Sequence, residues 1–168
     1  MTLSTATLAG VVSSRTVLLK RNDSDKLVFE SEDFSRKGRE LAANPQAAVT
    51  LYWKEVHRQV TVTGQARPLS DEESDEMWRQ RGRANQAATV ATHEGDVISS
   101  LEEELELHKK AEAIFSAAAP IARPSSYRAY GLYPVTIEFW EGSEARLHRR
   151  LFYEQQGSHS WAWRRLQP

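Results

Sequence analysis

Hydrophobic and polar residues alternate along the first part of the chain, which is the pattern of β-strands that bury one face. The clearest example covers residues 57–66, where Val60 and Val62 fall on one face and the opposite face carries Gln59, Thr61 and Thr63. Similar runs predict four further strands, at Thr2–Val12, Ser13–Lys20, Lys26–Ser31 and Ala47–Trp53. Since little more than Gly10 separates the first two runs, we predict that they pair as a hairpin.

The middle of the chain changes to a helical period. Ser70 and Glu73 form a capping-box pattern, which predicts a helix that continues to about Gln80. Residues 81–96 are ambiguous between helix and loop.

A second capping-box pattern, at Ser100 and Glu103, predicts another helix. Its apolar residues follow at helical spacing, at Leu107, Ala111, Ile114, Phe115 and Ala118. We expect Pro120 and Pro124 to end this helical region.

Strand patterns return in the last third of the chain, at Tyr127–Tyr133, Val135–Trp140, Arg150–Tyr153 and Trp161–Leu166. Strands first, helices in the middle and strands last is the order of an α+β protein. The short early connections indicate antiparallel pairing. The sequence therefore predicts an α+β fold with an antiparallel sheet.

Composition narrows the possible classes of protein. The 168 residues are predicted to form a single domain, 1–168, with a substantial hydrophobic core. Basic and acidic residues nearly balance, 22 against 23, so no overall field attracts nucleic acid or a membrane surface. Cysteine is absent, which excludes disulfides, thiolate metal ligands and cysteine nucleophiles and fits a reducing cytoplasm.

The predicted helix after Ser35 carries basic residues where acidic ones are usually favoured. Arg36 and Lys37 fall in its first turn, beside the positive end of the helix dipole, and we expect both at an exposed helix end. Two cations at this position suit a bound anion, and phosphate is the usual one. The alternative is a solvated basic turn whose charge is offset by Glu32 and Asp33.

Several blocks combine strand or helix patterns with basic residues, namely Ser13–Lys20, Phe34–Leu41, Arg58–Gly64, Ile137–Gly142, Arg146–Arg150 and Trp163–Pro168. Their order and spacing resemble the FMN oxidases typified by pyridoxamine 5′-phosphate oxidase, and especially the flavin oxidases of phenazine biosynthesis. The resemblance runs from about Thr2 to Pro168. It implies a split β-barrel of Greek-key type with flanking helices, a homodimer and FMN as cofactor. The sequence starts close to its first strand and leaves open whether the protein has the N-terminal arm that resembles a lid in relatives.

The resemblance also implies a set of FMN contacts. Phosphate neutralisation is expected from Arg15, Arg36 and Lys37, since guanidinium groups can pair bidentately with phosphate. The flavin is expected to run along the backbone of residues 15–20. The full set of expected contacts is Arg15, Thr16, Val17, Leu18, Lys20, Ser31, Arg36, Lys37, Gln59, Trp140 and Arg150. Of these, the resemblance assigns Trp140 and Arg150 to the partner subunit.

Some of these positions have ordinary explanations or depart from the family pattern. Gln59 could be a solvent-facing strand glutamine, and Trp140 a half-buried strand tryptophan. Glu94 and Gly95 stand where the family has a Gln-Ser pair that contacts flavin. Glu30 stands at an aromatic position beside Ser31, which weakens that contact.

Arg146 and His148 match the Arg-x-His of the family's substrate site, which implies a catalytic role for both. They can hold a hydride donor against the flavin, and His148 could take a proton as the hydride leaves. The alternative is a basic surface cluster. The other histidines show no pattern of a metal site or a catalytic triad, namely His57, His93, His108 and His159.

Only some of the residues with which the family binds a substrate phosphate are present. Lys20 and Arg81 match its lysine and arginine, whereas Met77 and Asn85 replace a tyrosine and a serine. Each missing hydroxyl removes a hydrogen bond to the phosphate that is worth ~1–3 kcal/mol. The methionine also makes the wall of the site apolar, which suits a flat organic substrate better than a vitamin phosphate. The expected substrate contacts are Lys20, Met77, Arg81, Asn85, Arg146 and His148.

Residues and resemblance together predict an FMN-dependent oxidase that transfers hydride from a reduced substrate to the flavin, with O₂ as electron acceptor. The expected substrate is a heteroaromatic of the dihydrophenazine type. The first alternative is a pyridoxine/pyridoxamine 5′-phosphate oxidase that makes pyridoxal 5′-phosphate. The second is a flavin-binding module without catalysis. No metal, nucleic acid or membrane partner is expected.

Overall fold

Nine strands and four α-helices make up most of residues 1–157 and 160–168, which the computed structural model describes. The strands are β1 (Thr2–Ala6), β2 (Val12–Thr16), β3 (Arg21–Asn22), β4 (Leu27–Glu32), β5 (Gln46–Trp53), β6 (Arg58–Pro68), β7 (Tyr127–Glu141), β8 (Arg149–Gln156) and β9 (Ser160–Leu166). The α-helices are α1 (Arg36–Ala43), α2 (Asp71–Gln80), α3 (Arg83–Ala91) and α4 (Leu101–Ser116), and a 3₁₀ turn covers Lys54–Val56. No helix within the described residues is long and apolar enough to cross a membrane.

The strands form one sheet in the order β2-β1-β5-β6-β7-β4-β3, with β8 paired to β7 and β9 paired to β8. Neighbouring strands run antiparallel in the pairs β1–β2, β1–β5, β3–β4, β5–β6, β6–β7, β7–β8 and β8–β9. Strands β1 and β2 pair from Thr2 opposite Thr16 to Ala6 opposite Val12, so the predicted hairpin is confirmed. Its strands are shorter than predicted, because residues 7–11 form the turn and β2 ends at Thr16. The antiparallel sheet and the separate run of helices confirm the predicted α+β class.

Strand β7 runs through Pro134, where the sequence predicted a break between two strands. A proline cannot donate a hydrogen bond to the ladder, so it is tolerated where the ladder is already interrupted. Here Gly64 of β6 pairs with Pro134, and the register then shifts at a β-bulge. A Cβ at Gly64 would lie 1.9 Å from the carbonyl oxygen of Tyr133, so only glycine permits this approach. The prediction of two strands was wrong because the proline falls at this bulge.

The described chain groups into two compact units. The first comprises Met1–Phe29, Glu40–Pro68 and Tyr130–Pro168. Its core is one cluster of buried side chains from Leu3, Phe29, Leu41, Ala47, Val49, Val62, Ala66, Tyr130 and Leu132. The rings of Phe29 and Tyr130 stack with their centroids 5.5 Å apart. This core fixes the sheet strands of the first unit against one another.

The second unit comprises Glu30–Arg39 and Leu69–Ala129. Helix α2 begins with the predicted capping box, in which the Ser70 side chain and the Glu73 side chain each accept a backbone N–H of the other. Trp78 of α2 meets the Tyr127 ring edge-on, with centroids 4.9 Å apart. Its indole N–H donates to the carbonyl of Ile121 at 2.8 Å. These contacts define the buried side of α2.

The ambiguous segment 81–96 contains helix α3, and α4 departs from its prediction at both ends. Ser100 accepts the N–H of Glu103 at 3.1 Å, but the Glu103 carboxylate accepts the N–H of Ser99 instead of completing the capping box. Helix α4 ends at Ser116, before Ala118, and buries none of its residues. The predicted apolar spacing therefore yields a half-buried face and not a buried one.

A side chain that sequence reasoning missed satisfies the end of α4. Arg83 donates from Nε to the carbonyl of Phe115 at 2.8 Å and from Nη2 to that of Ala119 at 3.0 Å. Carbonyls at a helix end lack partners within the helix, so an arginine that reaches them acts as a cap. The contact joins α3 to the end of α4 within the second unit.

Replacing Gly64 with alanine should destabilise the protein by about 2–4 kcal/mol, because the new Cβ cannot fit against Tyr133 without opening the bulge. Urea unfolding would measure the change. The control is Gly82→Ala, whose Cβ would meet no atom within 4 Å and should cost less than about 1 kcal/mol. Similar losses for both variants would contradict the role given to the bulge.

Candidate functional site

Three residues predicted to contact the flavin lie in one row across three neighbouring strands. Gln59 on β6 is the register partner of Trp140 on β7, and Trp140 is in turn the partner of Arg150 on β8. Directly opposed residues of antiparallel strands share a face, with Cβ atoms about 4.5–5.5 Å apart. The register therefore gathers side chains that are far apart in the sequence.

The row lines a cleft of about 1220 Å³ within the first unit. The cleft is also lined by aromatic side chains, including Trp53, Phe139, Tyr153 and Trp163, and by charged ones. Its volume exceeds the ~300–1,000 Å³ of most small-molecule sites, so it has room for a cofactor together with a substrate. Phe139 is 45% exposed and Trp163 is 62% exposed. Large aromatic side chains that are exposed along the same cleft are typical of an interaction site.

Arg150 is held in place by a bidentate ion pair with Glu138. Its Nε lies 2.7 Å from Glu138 Oε1 and its Nη2 lies 3.0 Å from Oε2. These hydrogen bonds raise the pKa of Arg150, which therefore stays charged. In the same row, Gln59 Nε2 donates to Thr61 Oγ1 at 3.2 Å. Both ends of the row are thus oriented by neighbours on the same sheet.

His148 packs against Trp140, with ring centroids 5.0 Å apart. Its Nδ1 accepts a hydrogen bond from the backbone N–H of Ser143 at 3.1 Å. A neutral imidazole whose Nδ1 is an acceptor carries its proton on Nε2. His148 can therefore donate from Nε2, and this geometry does not support the expected role as a proton acceptor.

Arg146 belongs to the exposed loop between β7 and β8. Its backbone is left-handed, with φ of 60°, and its N–H donates to the carbonyl of Ser143 at 2.9 Å. His148 lines the cleft, whereas Arg146 does not. The structure therefore brings one member of the Arg-x-His pair into the cleft and leaves the other on its surface loop.

Arg15 belongs to a polar network between β1 and β2. Its Nη1 donates to Thr5 Oγ1 at 2.7 Å, and its Nη2 lies 3.5 Å from Glu40 Oε2. Glu40 is buried and also accepts from the hydroxyl of Ser13 at 2.5 Å. A phosphate beside Arg15 would have to share that guanidinium with the Glu40 carboxylate.

The other expected contacts of the N-terminal segment lie at the end of β2 and in the residues directly after it. Thr16 and Leu18 are exposed, whereas Val17 and Lys20 are half-buried. Val17 and Met1 exchange two backbone hydrogen bonds of 2.9 Å, so the chain stays extended beyond the end of β2. This segment therefore presents alternate side chains to solvent.

The start of α1 is tightly built around Ser35. Its buried hydroxyl accepts the N–H of Gly38 at 3.2 Å and lies 3.0 Å from the hydroxyl of Ser31. A Cβ at Gly38 would lie 2.4 Å from the carbonyl oxygens of Glu32 and Asp33. The predicted cap is confirmed, and Ser31 is part of it.

The two cations of this first turn occupy different environments. Arg36 is exposed, whereas Lys37 is only 6% exposed. The Lys37 ammonium donates to the carboxylate of Glu94, whose side chain is half-exposed. The expectation that both cations lie at an exposed helix end is therefore wrong for Lys37, which is buried against the loop after α3.

Arg81 is also engaged by a carboxylate within the second unit. Its Nη1 lies 2.5 Å from Glu30 Oε2, and its Nη2 donates to Thr89 Oγ1 at 3.2 Å. Its guanidinium carbon lies 5.6 Å from the centre of the Tyr127 ring. Burial, followed by the nearby Glu30, raises the pKa of Tyr127, so this phenol stays neutral. Arg81 is thus surrounded by partners of its own unit.

Two other expected substrate contacts differ in accessibility. Met77 is 2% exposed, so its side chain packs in the interior of the second unit. Asn85 is exposed on α3. Their contact with a substrate stays a prediction.

The histidines outside the Arg-x-His pair form no metal site in the part of the chain that the structure describes, where no group of three His, Cys, Asp or Glu could hold an ion. His93 pairs through Nδ1 with Asp96 at 2.9 Å and stacks on Phe34. His159 lies outside the described residues.

Comparison with known families identifies the family to which the chain belongs. The family profile described as pyridoxamine 5′-phosphate oxidase matches residues 1–115. A second profile, described as the pyridoxine 5′-phosphate oxidase C-terminal dimerisation region, matches residues 127–168. The chain belongs to the pyridoxamine 5′-phosphate oxidase family. The resemblance drawn from the sequence blocks is thereby confirmed.

Individual relatives within this family carry two kinds of name. The chain is 42% identical to the pyridoxine/pyridoxamine 5′-phosphate oxidase of Rubrobacter xylanophilus, over 100% of this chain and 76% of the relative. It is 37% identical to the dihydrophenazinedicarboxylate synthase of Burkholderia lata, over 100% and 77%. Membership in the family therefore leaves the substrate open.

Solved structures of the family share the fold. The crystal structure of PhzG from Burkholderia lata 383, in complex with tetrahydrophenazine-1-carboxylic acid, matches with a TM-score of 0.93 at 37% identity, over 99% of this chain and 80% of that one. A related FMN-binding protein from Nostoc punctiforme matches with a TM-score of 0.76 at 18% identity, over 99% and 86%, which concerns the fold alone. The predicted split barrel is confirmed.

Sequence reasoning missed three carboxylates that engage the predicted phosphate-binding cations of this family member. They pair as Glu40 with Arg15, Glu94 with Lys37 and Glu30 with Arg81. Two of them, Glu30 and Glu94, stood out as departures from the family pattern. Their partners lie 51 and 57 residues away in the chain, so these pairs could not be assigned from local sequence patterns.

Proposed function

We propose that the protein is an FMN-dependent oxidase that acts on a reduced heteroaromatic substrate of the dihydrophenazine type. The row of Gln59, Trp140 and Arg150 along the cleft is the observation that carries the flavin part of this proposal. An amide, a flat indole and a guanidinium side by side suit the polar edge and the face of a tricyclic ring.

The donors of the chain fit FMN chemically. The ring would meet Gln59, Trp140 and Arg150, and the phosphate would meet cations of the group Arg15, Arg36 and Lys37. The hydroxyl of Ser31 and the segment formed by Thr16, Val17, Leu18 and Lys20 complete the set carried over from the family. Arginine and lysine are the side chains that bind phosphate monoesters most strongly, which favours FMN over an uncharged flavin.

The residues of the cleft would position the substrate and keep water out. When bound, FMN would accept a hydride from the substrate, and O₂ would accept the electrons to give peroxide. His148 would donate from Nε2 to an electronegative atom of the substrate and so fix its orientation. The loop that carries Arg146 is exposed, so its guanidinium can approach an anionic group at the edge of the substrate.

A homodimer is part of the proposal, with FMN bound at the interface. The match of residues 127–168 to a dimerisation region supports it, as does the exposed aromatic surface around Phe139 and Trp163. The family resemblance assigns Trp140 and Arg150 to the subunit opposite the phosphate contacts. Because Gln59 shares their row, it would come from the same subunit as Trp140.

The choice of substrate rests on the pair between Arg81 and Glu30. A phosphate dianion would have to displace the Glu30 carboxylate from a guanidinium that also contacts Thr89. A flat substrate that places no anionic group at Arg81 would make no such demand. The pair therefore supports a dihydrophenazine carboxylate over a vitamin phosphate.

Pyridoxine/pyridoxamine 5′-phosphate oxidase activity is the second candidate. It is supported by the 42% identity to a relative of that name and by the presence of Lys20 and Arg81. A cytoplasmic location is retained for either candidate, because the absence of cysteine fits a reducing compartment.

Replacing the exposed Arg36 with alanine should weaken FMN binding at least tenfold, because one charge-assisted hydrogen bond to phosphate contributes roughly 1.5–3 kcal/mol. Binding of riboflavin, which has no phosphate, should change by less than about twofold. Fluorescence titration measures both constants. The control is Arg39→Ala, also exposed on α1. Equal losses in the two variants, or an equal loss for riboflavin, would remove Arg36 from the phosphate site.

The wild-type protein should oxidise a dihydrophenazine carboxylate faster than pyridoxine 5′-phosphate. Glu30→Gln should raise kcat/KM for pyridoxine 5′-phosphate about tenfold, because the variant releases the Arg81 guanidinium for a charge-assisted bond. Glu76→Gln, on the exposed side of α2, removes the same charge and serves as the control. Efficient formation of pyridoxal 5′-phosphate by the wild type would instead favour the second candidate. Bound FMN without peroxide from either substrate would indicate a flavin-binding module.

A further inference from the structure

The carboxylate of Glu94 forms an ion pair with Lys37, a lysine that is expected to bind phosphate. Lys37 is 6% exposed, and its Nζ donates to Glu94 Oε1. The Glu94 side chain is 51% exposed, so its carboxylate reaches from the solvent side onto a buried cation. A buried ammonium needs a hydrogen-bonded counter-charge, and Glu94 supplies it within the chain.

Neighbouring residues hold Glu94 in this place. The His93 ring stacks on Phe34, with centroids 3.5 Å apart and planes 8° apart. His93 Nδ1 also pairs with Asp96 at 2.9 Å. Gly95 follows in a left-handed conformation, with φ of 99°, which lets the chain turn directly after Glu94. The loop after α3 therefore packs against the residues just before α1, which places the Glu94 carboxylate next to Lys37.

The surroundings of Lys37 contain a second acidic side chain besides Glu94. Glu32 is 8% exposed, and its pKa is raised first by burial and then by the charge of Glu94. Like charges repel each other, and solvent screens this repulsion less when one of them is buried. A phosphate that approached Lys37 would meet the same repulsion, and it would compete with Glu94 for the ammonium.

We propose that Glu94 is a built-in competitor of the cofactor phosphate at Lys37 and limits the affinity of this chain for phosphorylated flavin. The inference rests on the proposed function, since it assigns Lys37 to the FMN phosphate. A neutral side chain of the same shape at position 94 would leave Lys37 to the phosphate and keep the loop in place. Glu94 thus sets how tightly FMN is held, while flavin without a phosphate is indifferent to it.

The test compares wild type, Glu94→Gln and the control Glu72→Gln, which removes an exposed carboxylate on α2. Full-length protein stripped of cofactor is titrated with FMN and with riboflavin, and flavin fluorescence gives each Kd. We expect Glu94→Gln to tighten FMN binding about tenfold, the effect of one charge-assisted hydrogen bond. Riboflavin binding, and both constants of the control, should stay within about twofold.

A double-mutant cycle assigns the effect to Lys37. In a Lys37→Met background, Glu94→Gln should no longer tighten FMN binding, because no ammonium remains to compete for. A gain that persists in that background would overturn the proposed competition. Unchanged or weaker FMN binding by Glu94→Gln alone would also overturn it, while leaving the proposed function intact. If neither wild type nor variant binds any flavin, both the inference and the proposed function fall.

Discussion

The register between β6 and β7 is the constraint on which the candidate site depends. At the bulge beside Gly64 and Pro134, β7 contributes one more residue than β6. If the strands paired without this bulge, Gln59 would face Phe139, and Trp140 would turn to the opposite side of the sheet from Gln59. With it, Gln59, Trp140 and Arg150 form one row. A close backbone approach that only glycine permits therefore decides which side chains stand beside Gln59.

Charge pairing within each unit is the second principle of the site. Each of three cations expected to bind phosphate has a carboxylate neighbour, in the pairs Arg15–Glu40, Lys37–Glu94 and Arg81–Glu30. Such pairs hold partly buried cations in position, but a phosphate must compete with the internal carboxylate. The chain thus combines a family scaffold for FMN with a site less strongly positive than its arginines and lysines suggest. This balance is the ground on which we propose a substrate that brings no phosphate of its own.

Local patterns predicted the elements of the fold well where one segment determines its own structure. The alternation around Val60 and Val62 gave strand β6, and the Ser70 cap gave the start of α2. The bulge at Pro134 was missed because its cause, the approach of Gly64, lies 70 residues away in the chain. For the same reason the carboxylate partners of Lys37 and Arg81 could not be assigned. The orientation of His148 depends on the N–H of Ser143, a loop contact that has no sequence signature.

The central claim is that two copies of this chain form a dimer and that residues of both copies contribute to each FMN site. Native mass spectrometry of the purified protein tests it most directly, because one spectrum reports the number of chains, the number of cofactors and the mass of each cofactor. The account predicts a species of two chains with two bound FMN molecules, and release of FMN when the dimer is dissociated. A monomer that retains its flavin, or a dimer that carries FAD or no flavin, would contradict it.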